Sequence, residues 1–191
     1  MITNSTQKLY ESGKTVFTVN DLALTWGLDN RRVLINKIGY WSKKGKLLKV
    51  RKGLYALNSN YSKYEVAQKV LTPSYISLHT VLFMEGLIFQ YDSAIYSVSN
   101  LSRKFKVGED EYVYKKIKDE VLYNKTGISD KGGYFIASKE RAFLDQLYLV
   151  SNFYFDNLET LDRDKVRQIA SIYNVDNFVG VVDRYFKDWR G

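Results

Sequence analysis

The sequence predicts an α+β chain. An N-terminal winged helix-turn-helix domain is expected over residues 1–58, then a larger α+β domain over residues 62–191 with a small, largely antiparallel sheet. Three observations support this: the excess positive charge sits at one end, a helix pair followed by a basic hairpin fills the same stretch, and short β-rich runs lie between helical patterns in the remainder.

Residues 1–56 hold eleven Lys and Arg against three acids, Glu11, Asp21 and Asp29, whereas the other 135 residues hold eighteen of each sign. The whole net charge of +8 therefore belongs to less than a third of the chain. Such an asymmetry is expected of a polyanion-binding module joined to a charge-balanced partner domain. The absence of Cys excludes thiolate zinc sites, disulfide frameworks and cysteine nucleophiles. Met1 to Lys14 is polar, and the most apolar stretch, Tyr75 to Phe89, is interrupted by His79 and Glu85. A cytoplasmic protein without a signal peptide or membrane partner is expected.

Thr18 begins the first predicted helix of the pair as its cap, with Asp21 at the third helical position and Phe17 stapled onto Leu22. The helix runs to Trp26, and Gly27 suits the left-handed position that ends it. Asp29 is then expected to cap a second helix reaching Lys44, with Leu28 facing Val33. At 100° per residue, Leu34, Ile38 and Trp41 form its inner stripe. Arg32, Asn36 and Lys43, flanked by Tyr40, form the outer one. These guanidinium, amide, ammonium and phenol groups can read base edges or grip phosphates. Arg31 and Arg32 crowd the positive end of the helix dipole, which makes sense where a phosphate or a guanine edge arrives. After Gly45, Leu47-Leu48-Lys49-Val50 alternates through the turn Arg51-Lys52-Gly53 into Leu54-Tyr55-Ala56, a hairpin with a cationic tip. The expected DNA contacts are Arg31, Arg32, Asn36, Tyr40, Lys43 and Lys44 from the helix, and Lys49, Arg51 and Lys52 from the hairpin.

Asn58 to Ser62 reads as the boundary. Helices are expected over Tyr64–Leu71, Tyr75–Glu85, from a Ser138 cap to Val150, over Asp162–Tyr173 and over Asn177–Trp189. Strands are expected at Ala94–Val98, Tyr112–Tyr114 and Gly133–Ile136. Glu109-Asp110-Glu111 reads as a solvated turn, Arg141 and Asp145 as an exposed ion pair of small value, and the 16 tyrosines as mainly core.

The residues of the wing, Leu47-Leu48-Lys49-Val50-Arg51-Lys52-Gly53-Leu54-Tyr55-Ala56, form one of three blocks that are degenerate singly and specific in combination. The second runs from Pro73-Ser74-Tyr75-Ile76-Ser77-Leu78 through Gly86-Leu87-Ile88, and the third is Ile136-Ala137-Ser138-Lys139-Glu140-Arg141-Ala142-Phe143-Leu144-Asp145. In this order and spacing they resemble the AbiE-type abortive-infection antitoxins over roughly residues 10 to 150, with Lys139 where many relatives have proline. The resemblance implies a type IV antitoxin. Such a protein represses its own operon by binding inverted-repeat operator DNA, two copies per site, and counteracts a cognate nucleotidyltransferase toxin.

No enzyme constellation accompanies these features. None of the 21 acids has Lys two residues on, no glycine loop could cradle phosphate, and Asp162 and Asp164 lack the Gly-Ser that precedes a nucleotidyltransferase aspartate pair. His79 alone cannot build a two-histidine metal site. No catalytic residue, metal site or cofactor is expected. A second reading is a protein-interaction module that sequesters a partner directly, using the basic domain as a DNA anchor.

Overall fold

Most of the elements follow from caps and apolar spacing. The computed structural model describes residues 5–188; Met1–Asn4 and the expected helix end at Trp189 lie outside them. In chain order the elements are α1 (Ser5–Glu11), β1 (Val16–Thr18), α2 (Val19–Trp26), α3 (Arg31–Lys43), β2 (Leu48–Arg51), β3 (Leu54–Ala56), α4 (Lys63–Val70), β4 (Ser74–Ile76) and α5 (Leu78–Met84). They continue as β5 (Ile95–Ser99), β6 (Arg103–Val107), β7 (Asp110–Lys116), α6 (Asp119–Tyr123), β8 (Ile128–Asp130), β9 (Phe135–Ala137), α7 (Lys139–Leu149), α8 (Arg163–Ala170) and α9 (Phe178–Asp188), with a 3-10 turn at Ser171–Tyr173 before α9.

The strands form a three-stranded antiparallel sheet ordered β1-β3-β2 and a six-stranded sheet ordered β6-β7-β5-β4-β9-β8. In the larger sheet β6·β7, β5·β4 and β9·β8 are antiparallel, while β7·β5 and β4·β9 are parallel. It is therefore a mixed sheet, not the largely antiparallel one expected. The parallel pair β5·β7 is connected through the edge strand β6, and the parallel pair β4·β9 through the whole stretch from α5 to β8.

Two hydrophobic clusters hold these layers together. The smaller gathers Leu9, Phe17, Leu22, Leu34, Ile38, Trp41 and Leu47 beneath α1, α2 and α3. The larger covers the six-stranded sheet and takes in Val16 and Leu54 from β1 and β3, so the small sheet is buried against both. The Glu65 carboxylate of α4, itself buried, accepts the backbone N–H groups of Thr15 and Val16, both at 2.9 Å. A Cβ at Gly133 would stand 2.7 Å from the Glu65 side chain, so this close approach requires glycine.

Several expectations are corrected. Asn30, rather than Asp29, caps α3, its Oδ1 accepting from the N–H groups of Arg32 at 3.0 Å and Val33 at 3.2 Å. That start directs Leu34 inward and leaves Val33 exposed, so the Leu28–Val33 staple does not form. The segment read as the first turn of the helix at Tyr75 is strand β4. The helix begins only at Leu78, where φ is +55°, a left-handed backbone that costs about 1–2 kcal/mol for a residue with a side chain. Asp110 and Glu111 belong to strand β7 and pair with Lys63 and Lys104, rather than lying in a solvated turn. The elements α6 and β8 are too brief for a periodic signal, and α1 (Ser5-Thr6-Gln7-Lys8-Leu9-Tyr10-Glu11) and β6 (Arg103-Lys104-Phe105-Lys106-Val107) are too polar to show an apolar face.

The largest correction is the pair Arg141 and Asp145, which is completely buried. Asp145 Oδ1 accepts from Arg141 Nε at 3.2 Å, Tyr75 Oη at 3.0 Å and Tyr173 Oη at 2.6 Å, and its Oδ2 accepts from Ser77 Oγ at 2.7 Å. The guanidinium donates also to the carbonyls of Val121 at 2.7 Å and Thr126 at 3.0 Å. Spacing of one helical turn made the pair foreseeable. Its burial was not, because every other partner comes from a distant segment.

Candidate nucleic-acid interface

The N-terminal basic segment is built on two caps. Thr18 Oγ1 accepts the Asp21 N–H at 3.1 Å, and Asp21 Oδ2 accepts the Thr18 N–H at 2.8 Å, closing a capping box at the start of α2. Burial works to raise the Asp21 carboxyl, but Lys69 at 2.8 Å and the two Thr18 donors hold it below its ordinary value. Gly27, at φ +62°, ends α2 in the left-handed cap that glycine adopts without steric cost. The turn delivers α3 across α2, with Trp26 and Trp41 in ring contact at 5.0 Å. Lys37 lies 4.4 Å above the Trp26 ring and Lys46 5.5 Å from that of Trp41, so these cations are stacked on indoles.

Leu34, Ile38 and Trp41 are buried as the inner stripe. Arg32, Asn36, Tyr40 and Lys43 are all exposed on the opposite stripe, with Tyr40 at 58% exposure. Arg31 is exposed at the start of α3, and exposed Lys44 at its end lies 6.0 Å from the Tyr40 ring. Lys49 and Lys52 are exposed on the hairpin. None of Arg31, Arg32, Lys43, Lys44, Lys49 or Lys52 enters an ion pair among the described residues. Their potentials add over a Debye length of about 10 Å at 0.1 M salt.

Arg51 stands apart from this set. Strand β2 carries a register shift between Lys49, opposite Tyr55, and Arg51, opposite Leu54. The extra residue breaks the two-residue alternation and turns Arg51 toward the Leu54 side of the sheet. Its guanidinium lies 5.1 Å over the ring of Phe105 in β6, joining the hairpin tip to the larger sheet. Phe105, Val33 and Gly39 were not among the expected contacts. Val33 is 49% exposed on the outer side of α3, and Gly39 presents open space in mid-helix. Both could have been found by extending the outward stripe by one residue on each side. Phe105 left no such signal, since only the hairpin's bulge brings it to Arg51.

The other concentration of polar groups is interior. Burial and the Asp145 carboxylate push the phenols of Tyr75 and Tyr173 well above their ordinary value. Both oxygens of Asp145 accept donors from its own fold, so the cluster ties β4, α7 and the turn at Tyr173 together. A cleft of 350 Å³ borders it at Tyr75, lined also by Gln68, Tyr123 and Lys125. Among the described residues, no group of three or more His, Asp or Glu could hold a metal ion, and no helix is long and apolar enough to cross a membrane. No protein-family model and no characterised protein matches the sequence.

Proposed function

We propose that the N-terminal segment is a winged helix-turn-helix that reads operator DNA, and that the chain is an autorepressing antitoxin of the type IV class. The observation that carries the DNA-binding reading is the outer stripe of α3, where Arg32, Asn36, Tyr40 and Lys43 are exposed and the two cations have no acidic partner among the described residues. In this reading α3 lies in the major groove, where Arg suits guanine and Asn suits adenine, and Lys49 and Lys52 hold the flanking phosphates.

The antitoxin reading rests on the three resemblance blocks and on how they meet. Tyr75 and Ser77 of the second block and Arg141 and Asp145 of the third converge on one buried hydrogen-bonded cluster. The second and third blocks thus form one structural unit, while the first forms the hairpin.

The test is a promoter-shift titration over a salt series with DNA from upstream of the chain's own gene. If about six phosphates are neutralised, log affinity falls against log salt with a slope near −5. An inverted repeat binds two molecules, with half-sites about one helical turn or a multiple apart. A salt-independent interaction, or none, rejects the DNA-binding reading. The toxin role is tested by co-expression with the adjacent gene: rescue of growth supports it and lack of rescue rejects it.

A second reading, direct sequestration of a protein partner, is favoured by one feature of the larger sheet's surroundings. A cleft of 480 Å³ is lined by Tyr64, Phe83, Met84 and Tyr91, of which Met84 is 52% and Tyr91 69% exposed. Apolar groups grouped in this way are found where proteins associate. Co-purification of the adjacent gene's product at moderate salt is its expected outcome, and clean separation on a sizing column removes it.

A further inference from the structure

The larger module carries no net charge, yet its edge strand continues the basic surface of the hairpin. Strand β6 is the outermost strand of the six-stranded sheet, paired only with β7. Arg103 and Phe105 share one face of β6, as do Tyr112, Tyr114 and Lys116 on β7, because side chains alternate along each strand. Phe105 lies against Tyr112 at 5.2 Å and Tyr114 at 5.6 Å, with ring planes nearly parallel, and Arg51 of the hairpin caps it from above. Arg103 sits two residues, or about 7 Å, along the strand from Phe105, and is directly opposite Tyr114. Lys116 is tied to the start of β6 through its backbone N–H, which donates to Ser102 Oγ at 3.0 Å.

Both faces of this strand pair carry cations, and the face of Phe105 is the one that Arg51 of the hairpin joins. On the other face Lys104 is bound to Glu111 at 2.8 Å, beside exposed Lys106 and Lys115. On the hairpin side, Asp110 is taken by Lys63, while Arg103 and Lys116 are exposed and have no acidic partner among the described residues. From the contact of Arg51 with Phe105 and the unpaired charges beyond it, we infer that Arg103 and Lys116 bind the phosphate backbone of duplex DNA, extending the interface from the hairpin onto the larger sheet. The inference rests on the DNA-binding reading above. It also gives the register shift in β2 a role: by fastening the hairpin tip to Phe105, it holds the two basic surfaces side by side.

The experiment uses the full chain with two duplexes, one carrying the promoter and one of random sequence, titrated over a salt series. The double variant R103A/K116A is expected to lower the magnitude of the salt slope by about 1.8, and to weaken both duplexes equally, about 60-fold at 0.1 M salt with an unchanged 1 M intercept. K104A, on the opposite face, keeps the wild-type slope, and so does R103K/K116R, which retains both charges. Thermal melts of all variants should match the wild type, since the altered side chains are exposed. A wild-type slope in R103A/K116A overturns the inference while leaving the α3 reading intact. Should that variant instead keep the slope and self-associate in sedimentation, the charges serve only to protect the edge strand and the inference is likewise overturned. If the wild-type chain binds neither duplex, the DNA-binding reading fails and this inference fails with it.

Discussion

Arg32 and Asn36 differ from Lys52 in what their removal should do. A side chain that meets a base edge contributes to discrimination, so R32A or N36A should cost about 1–3 kcal/mol on promoter DNA and little on random duplex. Replacing Lys52, a phosphate contact in this reading, should weaken both duplexes alike. Paired titrations distinguish the two, and an unchanged sequence preference in R32A and N36A would reject α3 as the reading element. Asp145 tests the interior. D145A leaves the Arg141 guanidinium buried without a counter-charge and should destabilise the fold by about 3–5 kcal/mol in urea denaturation. R141M/D145L removes both charges and should lose less than the sum of its single variants. Additivity would mean that the two side chains are not coupled in the way their 3.2 Å contact implies.

Helix α5 lies on the larger sheet with His79 between the rings of Tyr96 at 4.8 Å and Phe153 at 5.3 Å. Burial lowers the imidazole below its ordinary value, with Asp92 opposing and Lys115 adding to the shift. The unfolded chain then binds a proton near pH 6.5 that the folded chain resists. The stability His79 contributes is therefore complete above that pH and is lost as the pH falls below it. Thermal melts between pH 7.5 and 5.5 should fall more steeply for the wild type than for H79F. Parallel curves would show that α5 does not enclose His79 as described. The hydroxyl of Tyr96 is pushed to about 12 by burial and by its hydrogen bond to Asp92, so it does not titrate in this range.

Joining of the two hydrophobic clusters through Val16, Leu54 and Glu65 makes one cooperative unit the expectation for unfolding. Of the three tryptophans, Trp26 and Trp41 belong to the smaller cluster, whereas most of the regular structure surrounds the larger one. Tryptophan fluorescence and far-UV circular dichroism should thus report coincident urea transitions. Separate midpoints would mean that the basic module unfolds independently, and that the contacts at β1 and Phe105 are weak.

Much of the basic module was legible in the residues alone. The Thr18 cap, the Gly27 stop, the buried stripe of α3 and the charge asymmetry depend on groups within a turn or two of chain, where spacing fixes which side chains can meet. The Asn30 cap was missed by one position because Asp29 is an equally good acceptor, and only the inward direction of Leu34 separates them. Folding in three dimensions settled the rest. The mixed strand order, the bulge that sends Arg51 to Phe105 and the burial of Arg141 with Asp145 all require partners far along the chain, as in the hydrogen bond from Tyr75 to Asp145 across 70 residues. Local patterning cannot specify such contacts, because whether a polar side chain meets water or a buried hydroxyl depends on what the remote segment brings to it.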